Sequence, residues 1–497
     1  MSENRKPVIE PDFYGDFHCI GGQCSFTCCK EWKIAVDHET KKRWQKMDVP
    51  STVLENGRVP EHAWRSTLDK AQLSQFVVKK DGGEIIELLP NMRCPFLEDS
   101  ELCRLVLDYG EECLSETCHV FPRETHEFTD RTERTLVSCC PEIVDRLHAL
   151  KELHFTNLSY QDRAFLLEGN DKLFQIRNIM MYWLKDASVS NEVNLKRCLF
   201  MLLDLLEKEQ RMRQKNSAKK KTSHKQAGEA KRCSNGVAEE NGCSNCVSDA
   251  NSISNPEYKS AVTATLDPGE CLKEEDVAKL TEMILAMPKD AQASIEEQNA
   301  LFLDITENYR KEGRYQGLLN PLYAMAERLS HEFEEADAAR LDEICALHAE
   351  VVAAYAPLLR NYLVAEAFAT LLIPGCTLRD MVLQLEWMIM EYVLIVHAMV
   401  LEILCEKDAE DAPSASNSEK DAGDAIRSSG SQGAVDGRTQ AAKADTVNAP
   451  LAYPKARELL ILIARMTGYD GDEIEEYLSD SFENPVWPWG YADYLLS

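Results

Sequence analysis

The sequence predicts a mainly α protein, in which a small cysteine-rich α+β unit with a β-hairpin precedes an irregular helical domain carrying two disordered inserts. Three observations predict it. Of 18 cysteines, ten lie at or before Cys140. From about residue 155 onward, apolar side chains recur at helical spacing. That pattern is interrupted twice, over 212–270 and 409–449, by polar sequence with too little apolar content to offset ordering entropy. The expected units are residues 1–152 and 153–497.

In order along the chain, Trp32-Lys33-Ile34-Ala35-Val36-Asp37 alternates apolar and polar residues as a short strand does, and Asp37 can cap a helix running through Trp44. Phe76-Val77-Val78 and Ile85-Ile86 flank Asp81-Gly82-Gly83, a hairpin signal. Pro141 suits a first helical turn and places Cys140 at the N-cap. Phe174, Ile176, Ile179, Met180 and Trp183 share a broad apolar face, continued by residues 195–206. Residues 211–232 are basic and 234–260 are rich in Ser, Asn and Gly; this is the first insert. Helical patterning resumes near Lys273. Residues 358–372 are strongly apolar and stop at Pro374-Gly375, after which Thr377 and Asp380 form a capping-box start for a long helix. A final helix is expected over 454–466, followed by a tail in which Trp487, Trp489, Tyr491 and Tyr494 dock on the helices.

Composition narrows the function. The net charge of −29 repels phosphate backbones, so nucleic acid is excluded as a partner and a basic or polar protein surface is favoured. No apolar run follows Met1-Ser2-Glu3-Asn4-Arg5-Lys6-Pro7, so the expectation is no signal peptide and a cytoplasmic setting. Residues 381–405 are the best membrane candidate. Glu386, Glu391, His397 and Glu402 interrupt them, so a buried helix and no membrane association are expected.

In a reducing compartment clustered cysteines serve metals or redox chemistry more often than disulfides. Here they fall into Cys19-x4-Cys24-x3-Cys28-Cys29, then Cys94, Cys103, Cys113 and Cys118, then Cys139-Cys140. Thiolates are soft ligands for zinc or iron–sulfur centres, and counting them does not separate the two. Radical S-adenosylmethionine enzymes use C-x3-C-x2-C; the position that would complete this after Cys24-x3-Cys28 is Glu31, and no alternating strand–helix pattern accompanies it. Cys243-x2-Cys246 with Cys233 lies in the first insert and reads as incidental.

Phe17-His18-Cys19-Ile20-Gly21-Gly22-Gln23-Cys24 and Thr27-Cys28-Cys29-x2-Trp32-x-Ile34 resemble the flagellin lysine-N-methylase family, within a wider group named for a CxxCxxCC zinc- or iron-chelating domain. Cys94-Pro95-Phe96-Leu97, Leu102-Cys103, Leu114-Ser115-x-Thr117-Cys118, Phe121-Pro122-Arg123, Ser138-x-Cys140-Pro141-Glu142 and Leu359-Arg360-Asn361-Tyr362-Leu363 follow in the family order. The resemblance implies Cys19, Cys24, Cys28, Cys29, Cys94, Cys103, Cys118 and Cys140 as ligands, with Cys113 and Cys139 as bystanders. It implies methyl transfer from S-adenosylmethionine to lysine ε-amines of flagellin or another lysine-bearing protein. It also favours a [4Fe–4S] iron–sulfur cluster over zinc. The two inserts depart from the compact family pattern.

Chemistry alone asks for a neutral amine, a group to take its proton, and a donor site. No G-x-G-x-G opens a strand–helix unit, so a Rossmann-type donor site is absent from the sequence. Arg123 from one unit and Arg360, Asn361 and Tyr362 from the other are the candidate donor- and substrate-binding residues, in a cleft between the units. The catalytic base is not assigned. Glu386 and Glu391 could attract a substrate lysine but read more readily as solvated helix faces, and His348 and His397 read as core residues. The competing reading is a non-enzymatic metal- or cluster-binding module for protein interaction or redox sensing.

Overall fold

A computed structural model describes residues 6–60, 71–80, 82–158, 166–167, 171–232, 267–335, 337–411 and 449–497. Among them are fifteen α-helices and five short strands. Strand β1 (Val8–Ile9) lies parallel to β5 (Thr132–Leu136), and β4 (Arg123–Glu127) pairs antiparallel on the other edge of β5, with Arg123 opposite Leu136. The expected hairpin is β2 (Val77–Lys80) with β3 (Gly83–Ile86).

The expected strand at residues 32–37 reduces to a single bridge, Ala35 to Ile85, with Val36 N donating to Glu84 O and Ile86 N to Ile34 O. It stops there because Asp37 leaves the ladder to cap α1 (His38–Trp44), accepting from Thr40 N at 2.8 Å. Helices α2 (Ser51–Glu55), α3 (Arg104–Tyr109) and α4 (Glu116–Val120) complete this lobe. It has its own core, built on Trp44, Val53, Leu73, Phe76 and Phe96. Helix α5 (Pro141–Ala149) follows, with Cys140 at its N-cap and proline in its first turn, as expected.

The helical body comprises α6 (Lys172–Leu184), α7 (Asn191–Arg232), α8 (Glu274–Ala286), α9 (Ala291–Lys311), α10 (Gln316–Glu335), α11 (Ala338–Thr370), α12 (Leu378–Asp411) and α13 (Tyr453–Met466). Helix α12 is its axis, touching α7, α9, α10, α11 and α13. Thr377 and Asp380 form the expected reciprocal cap at its start. By length and composition α12 is apolar enough to cross a membrane, and its neighbours bury most of it. His397 pairs with Asn299 at 2.9 Å and His348 with Gln298 at 3.2 Å, both as core residues. Glu386 and Glu391 are buried, not solvated. The helices packed on α12 cover the stretch that carries both acids.

Helices continue past residue 466. Asp470 and Glu473 make a capping box for α14 (Gly471–Ser481), and α15 (Trp489–Leu495) starts after Pro488. Trp487 and Tyr491 pack edge-on at 4.9 Å within this tail. Helix α7 runs about twenty residues beyond the expected start of the first insert, through Lys-, Gln- and Ala-rich sequence of good helix propensity. Residues 233–266, with Cys233, Cys243 and Cys246, and residues 412–448 lie outside the described residues.

One continuous core joins the helical body to β1, β5 and α5, through Ile9, Leu136, Ile143, Val144 and Leu147. Two polar clips lock the same junction. Asn361 donates to Leu147 O and Leu150 O and accepts from Leu153 N. Glu133 on β5 takes both terminal nitrogens of Arg177 on α6, at 2.6 and 2.7 Å.

Candidate metal centre and the acid cluster beside it

Backbone pairing gathers the cysteines. A bridge between Lys30 and Arg93 sets segment 28–31 beside 92–94, with Cys94 N donating to Cys29 O at 2.8 Å. A second bridge, Leu97 to Cys103, folds 102–104 back on the same segment. Gly22 lets the 19–24 loop lie on this turn, since a Cβ there would meet Ser100 O at 2.7 Å. Ser115 caps α4 by accepting from Cys118 N, and Asp37 accepts from Glu116 N, so the cap of α1 also positions Cys118.

The outcome is an array centred on Cys28. Cys24, Cys29, Cys94, Cys103, Cys118 and Cys140 each feel its charge, and Cys24 in turn feels Cys19. Cys28 is itself held below the usual thiol range. A hydrogen bond from Cys29 is the largest cause, burial opposes it, and the Arg465 guanidinium adds to the lowering. The partner Cys29 is pushed up by that bond and by burial, while burial pushes Cys118 and Cys140 up to about 12. Cys113 neighbours Cys103 and Cys118 at the edge of the array, its buried thiol donating to Gly110 O at 3.1 Å.

Helix α13 grips the array from the helical body. Arg465 donates to the carbonyls of Phe26 (2.8 Å), Thr27 (3.1 Å) and Cys139 (3.4 Å), and lies over the rings of Phe26 and Trp32. Arg457 bridges Asp145 and Ser25. From α10, Tyr315 N donates to the Glu31 carboxylate at 2.8 Å.

The four expected donor-binding residues have separate surroundings. Arg123 donates to Phe17 O and covers the Phe17 ring. Asn361 is committed to the backbone clip described above. Arg360 lies beside Tyr392, whose hydroxyl donates to Glu192. Tyr362 has Glu391, Glu366 and Cys139 as its neighbours.

Around Tyr362 lies a cluster of acids. Glu366, one turn further along α11, faces Ser138, Glu124 on β4 and Glu391 on α12. Glu391 accepts from Thr467 Oγ1 at 2.6 Å. Accessibility grades inward: Glu124 is exposed, Glu366 is half-buried, and Glu391 and Tyr362 are buried. Burial raises the Glu366 and Glu391 carboxyls. At Glu366 the charge of Glu391 adds to it and Ser138 opposes it; at Glu391 the Thr467 and Tyr362 hydroxyls oppose it.

Comparison with known proteins gives this arrangement a lineage. The chain is 33% identical over 143 residues to the flagellar biosynthetic protein FliU of Salmonella muenchen, covering 28% of this chain and 76% of that protein. It is 32% identical to the lysine-N-methylases of Salmonella choleraesuis and Salmonella typhimurium, over 143 and 145 residues. The chain belongs to this FliU and lysine-N-methylase family. The aligned stretch spans 32% of the length of each lysine-N-methylase. No family model matches the chain, and no solved structure matches it.

As a FliU and lysine-N-methylase relative, the chain has donor chemistry that fits a thiolate-held centre. All fifteen described cysteines are free. Among the described residues no three His, Cys, Asp or Glu side chains stand close enough together to hold an ion as they are placed. The fit therefore rests on softness, proximity to Cys28 and the favourable charge of Arg465. Two parts of the site were missed in the sequence, although each carries a signal there. Glu366 is the one acid in an apolar run, and Arg465 the one base in the run Leu459-Leu460-Ile461-Leu462-Ile463-Ala464.

Proposed function

We propose that the chain is a protein-lysine N-methyltransferase acting on flagellin in the cytoplasm, with S-adenosylmethionine as methyl donor. Its relationship to FliU and the lysine-N-methylases is the observation that carries this reading. Cys19, Cys24, Cys28, Cys29, Cys94, Cys103, Cys118 and Cys140 would hold the centre, an iron–sulfur cluster in preference to zinc. When bound, such a centre supplies positive charge and cross-links three cysteine-bearing segments. The chain's own residues do the rest. Arg465 fixes the Phe26–Thr27 turn beside Cys28. Tyr362 brings a buried hydroxyl beside Glu391 and Cys139 at the junction between the cysteine unit and the helical body.

The test is transfer of label from methyl-labelled S-adenosylmethionine to flagellin, using protein purified without oxygen. Label is expected on lysine ε-nitrogens, lost in Cys28→Ala and reduced in Tyr362→Phe. Absence of both donor binding and transfer would favour the non-enzymatic module instead.

A further inference from the structure

We propose that the cavity between α7, α8, α11 and α12 binds the methyl donor S-adenosylmethionine, with the adenine ring between apolar walls and His348 and Glu192 as the polar groups that hold the molecule. This rests on the lysine-methylation reading and gives it the donor site that no glycine-rich loop provides. The cavity measures about 370 Å³. A cavity of about 150 Å³ suffices for benzene, so this one has room for a fused ring with substituents, within the size range of ligand pockets. Ile284 from α8, Val352 from α11 and Val393 and Val396 from α12 give it apolar walls. Exposed Ala349 and Ala353 on α11, and exposed Lys289 after α8, mark its mouth.

A chain of hydrogen bonds sets what the lining offers. The Leu495 carbonyl can only accept, so Gln298 turns its amide nitrogen to it, at 3.0 Å, and its Oε1 to His348. That oxygen can only accept in turn, so His348 Nε2, at 3.2 Å, carries the ring proton. Nδ1 is left with a bare lone pair and no partner among the described residues. His348 is half-buried, and burial pushes its imidazole down to about 4 against the charge of Glu192, so at neutral pH Nδ1 stays an acceptor. Glu192 accepts at one oxygen from the Tyr392 hydroxyl, and its other oxygen has no hydrogen-bond partner among the described residues. Lys196, which also lines the cavity, is spent on Asp493 at 2.8 Å.

These groups select a ligand. Nδ1 calls for an N–H donor, and the exocyclic amine of adenine is one, carried on the edge of a flat apolar ring. A carboxylate oxygen left open in the cavity favours a cation, and S-adenosylmethionine brings both a sulfonium and an ammonium. Lys289 at the mouth suits the carboxylate of the same molecule. Size decides against the side chain of the substrate. At roughly 30 Å³ for each of its carbons and its nitrogen, a lysine side chain fills less than half the volume.

The experiment uses the full chain purified without oxygen. Calorimetry measures binding of S-adenosylmethionine, S-adenosylhomocysteine and adenosine, beside an assay of methyl transfer to flagellin. Wild type should bind all three. His348→Leu should weaken each by about tenfold, the loss of one hydrogen bond common to them. Glu192→Gln keeps an acceptor for Tyr392 and removes the charge, so it should weaken S-adenosylmethionine by about tenfold and adenosine by less than about twofold. Ala353→Trp places bulk at an exposed position on the mouth, and should block all three at an unchanged melting temperature. Binding of none of the probes by wild type, or equal binding by wild type and all three variants, would overturn the proposal. If the probes bind with these losses yet no methyl group is transferred, the cavity stands and the methylation reading fails. Methyl transfer with the same donor KM in all the variants would keep that reading and overturn the cavity.

Discussion

Glu386 sits in the first third of the long buried helix α12, accepting from Trp487 N at 2.8 Å with one carboxylate oxygen, while its other oxygen is buried without a partner. Burial pushes its carboxyl up to about 8, against the pull of the Trp487 bond and Arg379. A carboxyl raised in the folded state binds a proton there that the unfolded chain has released. Stability is therefore lost as pH rises from about 4.3, the ordinary glutamate value, toward 8. The slope is at most about 1.4 kcal/mol per pH unit. Glu386→Gln should flatten the pH dependence of the urea midpoint in this window and raise the midpoint at pH 7; an unchanged profile would refute the assignment. Such acids were hard to read in sequence, because an isolated Glu on a helix usually faces water and helical spacing does not say whether a second helix covers that side. Glu366 and Arg465 were legible only as lone charges in apolar runs. The helix-cap roles of Asp37, Thr377 and Cys140 were fully legible, since a cap depends on residues within one turn.

At the scale of elements, the cysteine loops depend on close backbone approach. Gly22→Ala would push a Cβ against a backbone carbonyl at 2.7 Å, so the 19–24 loop must lift from residues 100–102. Reduced metal content with the helical body intact by circular dichroism is expected. The clamp between β5 and α6 makes a different prediction. Burial pushes the Glu133 carboxyl up, but Arg177 and Arg131 outweigh it and hold the pKa below the usual value. That contribution is fully present above about pH 4.3 and is lost as pH falls through the lowered value. Glu133→Ala takes the carboxylate away from the buried Arg177, while Arg131 keeps Asp130 and Asp171, and should cost roughly 3–5 kcal/mol, read as a lower urea midpoint at pH 7. The hairpin was legible from its glycines and flanking β-branched residues. The strand expected at 32–37 shrank to one bridge, and α14 and α15 were read as an irregular tail, because their short helices owe much of their stability to packing on the body.

Across the whole molecule, the expected boundary at residue 152 is crossed by one hydrophobic core, while the lobe around Trp44 and Phe96 keeps its own. Separating residues 1–155 would bare Ile143, Val144 and Leu147, so that fragment should bind a hydrophobic dye and melt without a cooperative transition. The full chain should bury the same surface. The separation into a cysteine-rich unit and a helical body was visible in composition; their joining through Asn361, Glu133 and Arg465 was not, because it depends on pairings more than 40 residues apart. Those pairings bring the thiol array and the acid cluster to one junction, and the account depends most on the array holding a centre. The direct measurement is iron, zinc and acid-labile sulfide in the full chain purified without oxygen, compared among wild type, Cys28→Ser, Cys94→Ser and Cys113→Ser. The account predicts stoichiometric metal in wild type and Cys113→Ser, and its loss in Cys28→Ser and Cys94→Ser. A metal-free wild type, or equal metal in all four proteins, would contradict it.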